Sequence, residues 1–356
     1  MRLLDRYILG TIFGAVGLVL GVLLTLIALF GFIGQQDDVG TGNYGSLQVL
    51  RYVLLGLPAQ FFEFLPIAAL IGSLLGMGLL ARNSELTVMR GAGIPVLRIG
   101  ASMALAGVIL TMIGVLVAEF VAPAATERAR TQRAIDRYQS ISYERRGGAW
   151  VRDGDLILKA EQRTVDGLLR GITVFEMTPD NRLAGVGRAD SAIERPGGGW
   201  DLKDYAASAF GTEGVTTRKA ESRPLETAIS SAFLSMATTD PMELSMRDLR
   251  QGIHYLSANG GQTRAWKFAF WSIPARAVAI PFAVLLALPF LFGSLRSSGN
   301  GARATLGMVF GLAYYILQRM VQSGTIAFSL DPLLLAWLPT LALAAIVTFL
   351  IWRLRA

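Results

Sequence analysis

Apolar and polar residues segregate along this chain on the scale of whole segments. Six stretches are long and apolar enough to cross a bilayer, which takes about 20 residues of α-helix. They cover residues 7–33, 52–80, 99–122, 266–292, 304–328 and 333–351. Several exceed that minimum, so tilt or extension beyond the bilayer is expected. The first does not read as a cleaved signal peptide: it is too long, it lacks a small-residue cleavage site, and Asp5 and Arg6 precede a full span. Between the third and fourth stretches the pattern changes. Short alternating segments at 150–152, 155–160, 171–177, 200–205 and 214–219 are separated by turn signals such as Asp153-Gly154, Asp166-Gly167 and Pro196-Gly197-Gly198-Gly199. Strands so closely spaced predict an all-β sandwich or jelly roll rather than βαβ units. The expected fold class is an α-helical membrane protein with six transmembrane helices and an inserted all-β, jelly-roll-like domain. The expected divisions are 1–125, 126–262 and 263–356.

Charge orients this pattern. The chain carries a net charge of +7, and only 17% of its residues are charged, against about 25% in an ordinary soluble domain. The inserted domain is neutral, with 19 basic and 19 acidic residues. Arg2, Arg6, Arg82, Arg90, Arg98, Arg296, Arg303, Arg353 and Arg355 all fall on one side of the spans, while Asp37, Asp38 and Asp331 lie in the short loops of the other. The positive-inside rule then puts both termini in the cytoplasm and the β-domain outside it. The basic excess is therefore a topology signal, and no nucleic-acid partner is expected.

Several chemistries are excluded. There is no cysteine, and His254 is the only histidine. None of the four lysines follows a glycine, so no Walker A loop exists and any P-loop ATPase must be another chain. No nucleophile elbow or zinc-protease motif is present. No catalytic residue, metal or cofactor is expected.

Five constellations remain. Ser84 can cap a short helix over 84–91 with Glu85 in its first turn, Leu86 and Met89 on one face, and Gly91 and Gly93 ending it. Such a helix docks into a partner's groove or rests its apolar face in lipid. Arg130, Arg133 and Arg137 share a face if the third helix continues past Pro123. Their forks suit the phosphate oxygens of a lipid headgroup; the alternative is a solvated face paired with Glu127 and Asp136. Glu63, Glu119, Arg276 and Arg319 interrupt apolar spans, where ionisable groups face one another or a watery cavity. Phe61, Phe62 and Phe64 flank Glu63 and either line an acyl-chain cavity or face lipid. Pro58, Pro66, Pro274, Pro281 and Pro289 either open a lateral gate or merely curve their helices.

Certain strings carry a resemblance. Leu4-Asp5-Arg6-Tyr7-Ile8 with Thr11-Ile12-Phe13, Arg82-Asn83-Ser84-Glu85-Leu86-Thr87-Val88-Met89 and Ala118-Glu119-Phe120-Val121-Ala122-Pro123 are three of them. Leu244-Ser245-Met246-Arg247-Asp248-Leu249 and Phe290-Leu291-Phe292-Gly293-Ser294-Leu295-Arg296-Ser297 are two more. Their order and spacing resemble the lipopolysaccharide-export permeases of the LptF/LptG family, most closely the LptG type. The resemblance implies a permease subunit of an ABC transporter in the bacterial inner membrane, with the β-domain in the periplasm. It implies an LptF-like second permease, an LptB-like ATPase dimer, an LptC-like bridge protein with a transmembrane helix, then LptA, and lipopolysaccharide as substrate. It makes 84–91 a coupling helix, with Glu85, Leu86 and Met89 toward the ATPase. Arg130, Arg133 and Arg137 would meet lipid phosphates, and Phe61, Phe64 and Arg319 would line the substrate cavity. One departure stands out: Gly31, Asp37 and Asp38 occupy positions where relatives place lysines. Competing readings are another envelope-lipid or lipoprotein-release permease, a membrane enzyme acting on lipid, and a structural bridge anchor.

Overall fold

A computed structural model describes residues 3–355 except 139, 143–148, 165–167, 181, 197, 212–213, 228, 231–232, 235, 237–238, 293–299 and 328–329. The turn signals at Asp166-Gly167 and Gly197, and residues 293–297 of the last motif, lie outside the described residues. The chain divides into two compact units, one formed by Met1–Ile33, Leu54–Thr126 and Arg264–Ala356, the other by Gly34–Val53 and Glu127–Thr263.

The first unit is helical. Its elements are α1 (Leu3–Ile33), most of α2 (Ser46–Arg82), α3 (Glu85–Gly91), α4 (Val96–Leu116), α7 (Arg264–Phe292), α8 (Asn300–Ala327) and α9 (Pro332–Arg355). Five helical segments among the described residues are long and apolar enough to cross a membrane: Leu3–Asp38, Ser46–Arg82, Val96–Arg137, Arg264–Phe292 and Pro332–Arg353. The sixth predicted span coincides with α8, whose apolar run is diluted by Gln318, Arg319 and Gln322. The outer surface is apolar as well as the core: Leu18, Phe30, Met112 and Phe120 face outward, as a helix surrounded by acyl chains permits.

Proline would leave carbonyls unpaired in such a medium. Pro281 removes the donor for the Ala277 carbonyl, and the Thr111 hydroxyl of α4 stands 3.1 Å from it, sharing its proton with the Gly107 carbonyl at 2.9 Å. α7 stays helical through Pro274, Pro281 and Pro289 and packs against α4, α8 and α9. The third span passes through a π-helical turn at Val117–Val121 into α5 (Ala122–Tyr138), with the Ala122 amide donating to the Val117 carbonyl. The wider turn precedes Pro123, whose ring would otherwise crowd the turn before it. The helix therefore continues past Pro123.

The unit core joins Ile8, Ile12 and Val16 of α1, Leu65, Leu74 and Met77 of α2, Ile99 and Met103 of α4, and Ile280 and Val284 of α7. α1 and α2 approach so closely at Gly72 that a Cβ there would stand 2.5 Å from Val16 Cα.

The second unit contains α5 from Glu127 onward, α6 (Met246–Ala258) and an antiparallel sheet of eight strands. These are β1 (Ser140–Ser142), β2 (Ala149–Asp153), β3 (Leu156–Ala160), β4 (Gln162–Thr164), β5 (Leu169–Met177), β6 (Leu183–Glu194), β7 (Trp200–Gly211) and β8 (Gly214–Leu225). β5 through β8 pair in sequence, and β3 and β4 lie end to end along the other edge of β5. Alternate residues of β5 and β7, among them Ile172, Val174, Trp200 and Leu202, form the core. The buried Trp200 indole donates to the Ile229 carbonyl at 2.8 Å. β6 is absent from the sequence reading because its glycines, alanines and aspartate have low strand propensity; pairing on both edges supplies the structure instead. α6 starts where the Ser245 hydroxyl accepts from the Asp248 amide at 3.1 Å.

Gly72→Val tests the helix contact. Overpacking of this kind costs about 1–3 kcal/mol, so the variant is expected to melt lower in nanodiscs; an unchanged midpoint would remove the close approach from the fold.

Candidate functional site

Two groups of arginines and one short helix hold the predicted site residues. The first group lies in the second unit. Arg130, Arg133 and Arg137 share a face of α5, and each is engaged within the chain. Arg133 donates from Nη2 to Asp38 Oδ2 at 2.5 Å and from Nη1 to the Tyr52 hydroxyl at 3.4 Å. Its guanidinium sits 4.9 Å from the Tyr52 ring centroid. Arg137, with a side chain only 7% exposed, donates to the same Asp38 oxygen at 2.7 Å. Arg130 pairs with Glu243. The sequence reading offered Glu127 and Asp136 as partners, whereas the observed carboxylates are remote in sequence.

Asp38 is one of the two acidic residues standing where lysines are expected. It ends a 3₁₀ turn, Gln36–Asp38, and the segment after it is tied to the end of α5. The Asn43 amide donates to the Asp136 carbonyl at 2.8 Å. Gly42 has φ +61°, and a Cβ there would lie 2.6 Å from the Arg137 carbonyl oxygen, so only glycine fits. Next to it Tyr44 is 1% exposed, and its hydroxyl has no hydrogen-bond partner among the described residues. Burial raises its pKa, outweighing the opposite pull of Arg133 and Arg137. The phenol is therefore a neutral donor held beside the arginines. Asp37 is exposed, and Gly31 lies in the last turn of α1.

The second group lies in the helical unit. Phe64 of α2 stacks on Tyr315 of α8, with centroids 5.5 Å apart. The Tyr315 hydroxyl accepts from Arg319 Nε at 3.0 Å, and Arg319 Nη2 donates to Glu63 Oε1 at 2.7 Å. Arg276 of α7 also interacts electrostatically with Glu63, and its buried Nε has no hydrogen-bond partner among the described residues. One carboxylate thus serves two guanidiniums. The aromatic run divides: Phe62 is buried, while Phe61 and Phe64 pack at the edge of the core.

α3 departs from expectation in two ways. Ser84 adopts φ +62° and makes no side-chain cap. Leu86 is 3% exposed and Met89 packs against the core, so the apolar face turns into the chain itself. Thr87, Val88 and Arg90 form the outward face, with Val88 69% exposed. Glu85 accepts from the Tyr7 hydroxyl at 2.6 Å. Nearby, Arg98 donates to both oxygens of Asp5 at 2.8 Å, and Ser102 donates to Oδ1 at 2.7 Å. Sequence reasoning missed Tyr7, Tyr44 and Tyr315 because a single tyrosine carries no spacing signal.

Removing Glu63 takes the shared carboxylate away from Arg319 and Arg276, and breaking a buried pair costs about 3–5 kcal/mol. Since the Arg319 end is half exposed, Glu63→Leu is expected at the low end of that range, read as thermal stability in nanodiscs. The Glu63→Leu/Arg319→Leu double variant should lose less than the two single losses combined. Strict additivity would exclude the pair.

The description "Lipopolysaccharide export system permease LptF/LptG" matches residues 6–353. The chain is 30% identical over 352 residues to the lipopolysaccharide export system permease protein LptG of Escherichia coli K12, covering 98% of both chains. It is 28% identical over 353 residues to LptG of Haemophilus influenzae, covering 99% of both. A match of that extent takes in the spans, the arginine groups and the inserted sheet together, and the chain belongs to the LptF/LptG family of lipopolysaccharide export permeases.

Proposed function

We propose that this chain is the LptG-type permease subunit of an ATP-driven exporter. It extracts lipopolysaccharide from the inner membrane and passes it to a periplasmic protein bridge toward the outer membrane. Near-complete alignment with LptG relatives carries this reading. A second, LptF-like permease completes the transmembrane path, and an LptB-like ATPase dimer hydrolyses ATP, since this chain has no Walker A loop. An LptC-like bridge protein and LptA continue the route. The arginine asymmetry of the loops supports cytoplasmic termini and a periplasmic sheet unit, with 1–125 and 263–356 carrying the spans and 126–262 the β-domain.

Within this reading Arg130, Arg133 and Arg137 meet the anionic headgroup, by the bidentate chemistry guanidinium offers to phosphate. Phe61, Phe64 and Arg319 line the wall against which acyl chains rest. α3 is the coupling helix. Its burial pattern supports Thr87, Val88 and Arg90 as the face toward the ATPase, with Leu86 and Met89 anchoring the helix and Glu85 bonded to Tyr7 at its start.

Copurification decides the main reading. The complex isolated through a tag on this chain should contain a second permease, an ATPase and lipopolysaccharide, identified by mass spectrometry. Absence of both the ATPase and lipopolysaccharide would refute it. For coupling, Val88→Glu should reduce ATPase recovery at least about ten-fold, as loss of a buried interface anchor does, without lowering the melting temperature. Wild-type recovery would move the contact off α3.

A further inference from the structure

We propose that the outward face of α6, with Arg247, Arg250 and His254, docks on the anionic phospholipid headgroups of the bilayer that α7 crosses. Helical spacing puts the three at i, i+3 and i+7, in one stripe. All three are exposed, and neither arginine has an ion pair or hydrogen bond among the described residues. The single carboxylate of α6, Asp248, is engaged at the helix start, where it accepts from the Ser245 hydroxyl at 2.7 Å. No acidic residue stands in the stripe.

The other face of α6 is committed to the sheet unit. Leu249 is fully buried. Tyr255 packs on Phe233 with ring centroids 4.0 Å apart, and its hydroxyl donates to the Arg152 carbonyl. Just past the helix, Asn259 Oδ1 accepts from the Gly154 amide at 3.1 Å and ties the helix end to the β2–β3 turn. A free interfacial helix lays its apolar face in lipid. Here that face is already occupied, so α6 offers its basic face outward.

Two observations favour a lipid surface as the occupant. Residues 259–263 alone join α6 to α7, whose first residue opens a membrane-crossing helix. Fully extended, that segment reaches about 20 Å, so the end of α6 is tethered near the headgroup layer whichever leaflet that is. Charge supplies the second. The inserted domain is neutral overall, yet from Arg247 to Lys267 the chain carries four Lys or Arg against Asp248 alone. Basic side chains held within a Debye length of an anionic membrane, about 8–10 Å, are drawn to it. Docking gives the sheet unit a hold on the membrane besides its covalent links.

The test uses the complex isolated through this chain, in nanodiscs, with a fluorophore on Gln251→Cys beside the stripe. The chain has no cysteine of its own, and the complex without that substitution gives the background. Lipid with a headgroup-linked quencher reports docking. Quenching should be strong in discs containing phosphatidylglycerol, weak in pure phosphatidylcholine, and reduced by high salt. Arg247→Gln/Arg250→Gln should lower the docked-to-free ratio about thirty-fold in the anionic discs, and Arg250→Gln alone about five-fold. Equal quenching in the two lipids overturns the proposal. If both are strong, α6 meets the bilayer without reading charge; if both are weak, a protein partner or water covers the face. Lipid dependence that survives in a double variant of wild-type melting temperature also overturns it, since the charge is then read elsewhere. If the double variant melts low, Arg250→Gln decides, and an unchanged ratio there overturns the proposal.

Discussion

Charge placed in or near hydrocarbon must be paired, and in this chain two carboxylates are each shared by two arginines. At Glu63 one carboxylate serves Arg319 by a hydrogen bond and Arg276 by electrostatic attraction. At Asp38 one carboxylate oxygen serves Arg133 and Arg137. Desolvating a guanidinium is costly, and a shared carboxylate repays only part of that cost. A tyrosine supplements the carboxylate each time: Tyr315 accepts from Arg319, and Tyr52 accepts from Arg133 beneath a cation–π contact. The result is a guanidinium held by a carboxylate and a tyrosine together.

The same economy governs the backbone of the helical unit. Every proline in a span creates an orphan carbonyl, and water is not there to satisfy it. The Thr111 hydroxyl on Ala277 supplies one such bond from a neighbouring helix. Ahead of Pro123 the chain uses a π-turn instead, which lets one continuous helix carry the arginine stripe. Close approach at Gly72 lets α1 lie against α2. α1 is also bonded to α3 through Tyr7 and Glu85 and to α4 through Asp5 and Arg98. A displacement of α3 therefore meets α1 directly through a short hydrogen bond.

Apolar periodicity and length by themselves determined the helical spans and the presence of an inserted sheet. Twenty apolar residues have few alternatives to a membrane helix, and alternation with glycine-rich turns has few alternatives to strands. The loop arginines supported an orientation for the same reason: the rule depends on composition near the span ends and not on contacts. The stripe Arg130, Arg133 and Arg137 was legible because helical spacing alone puts these residues on one face.

Pairing could not be read this way. Asp38 reaches Arg133 across 95 positions and Glu63 reaches Arg319 across 256, and no local pattern encodes contacts at such separations. β6 needed both neighbouring strands to override its weak propensity. Leu86 and Met89 share a face in any helix, but whether that face meets a partner, lipid or the chain's own core depends on what packs beside it. Spacing along the chain decides which residues travel together. Tertiary structure decides what they face, because burial and charge compensation are properties of neighbours brought together by the fold.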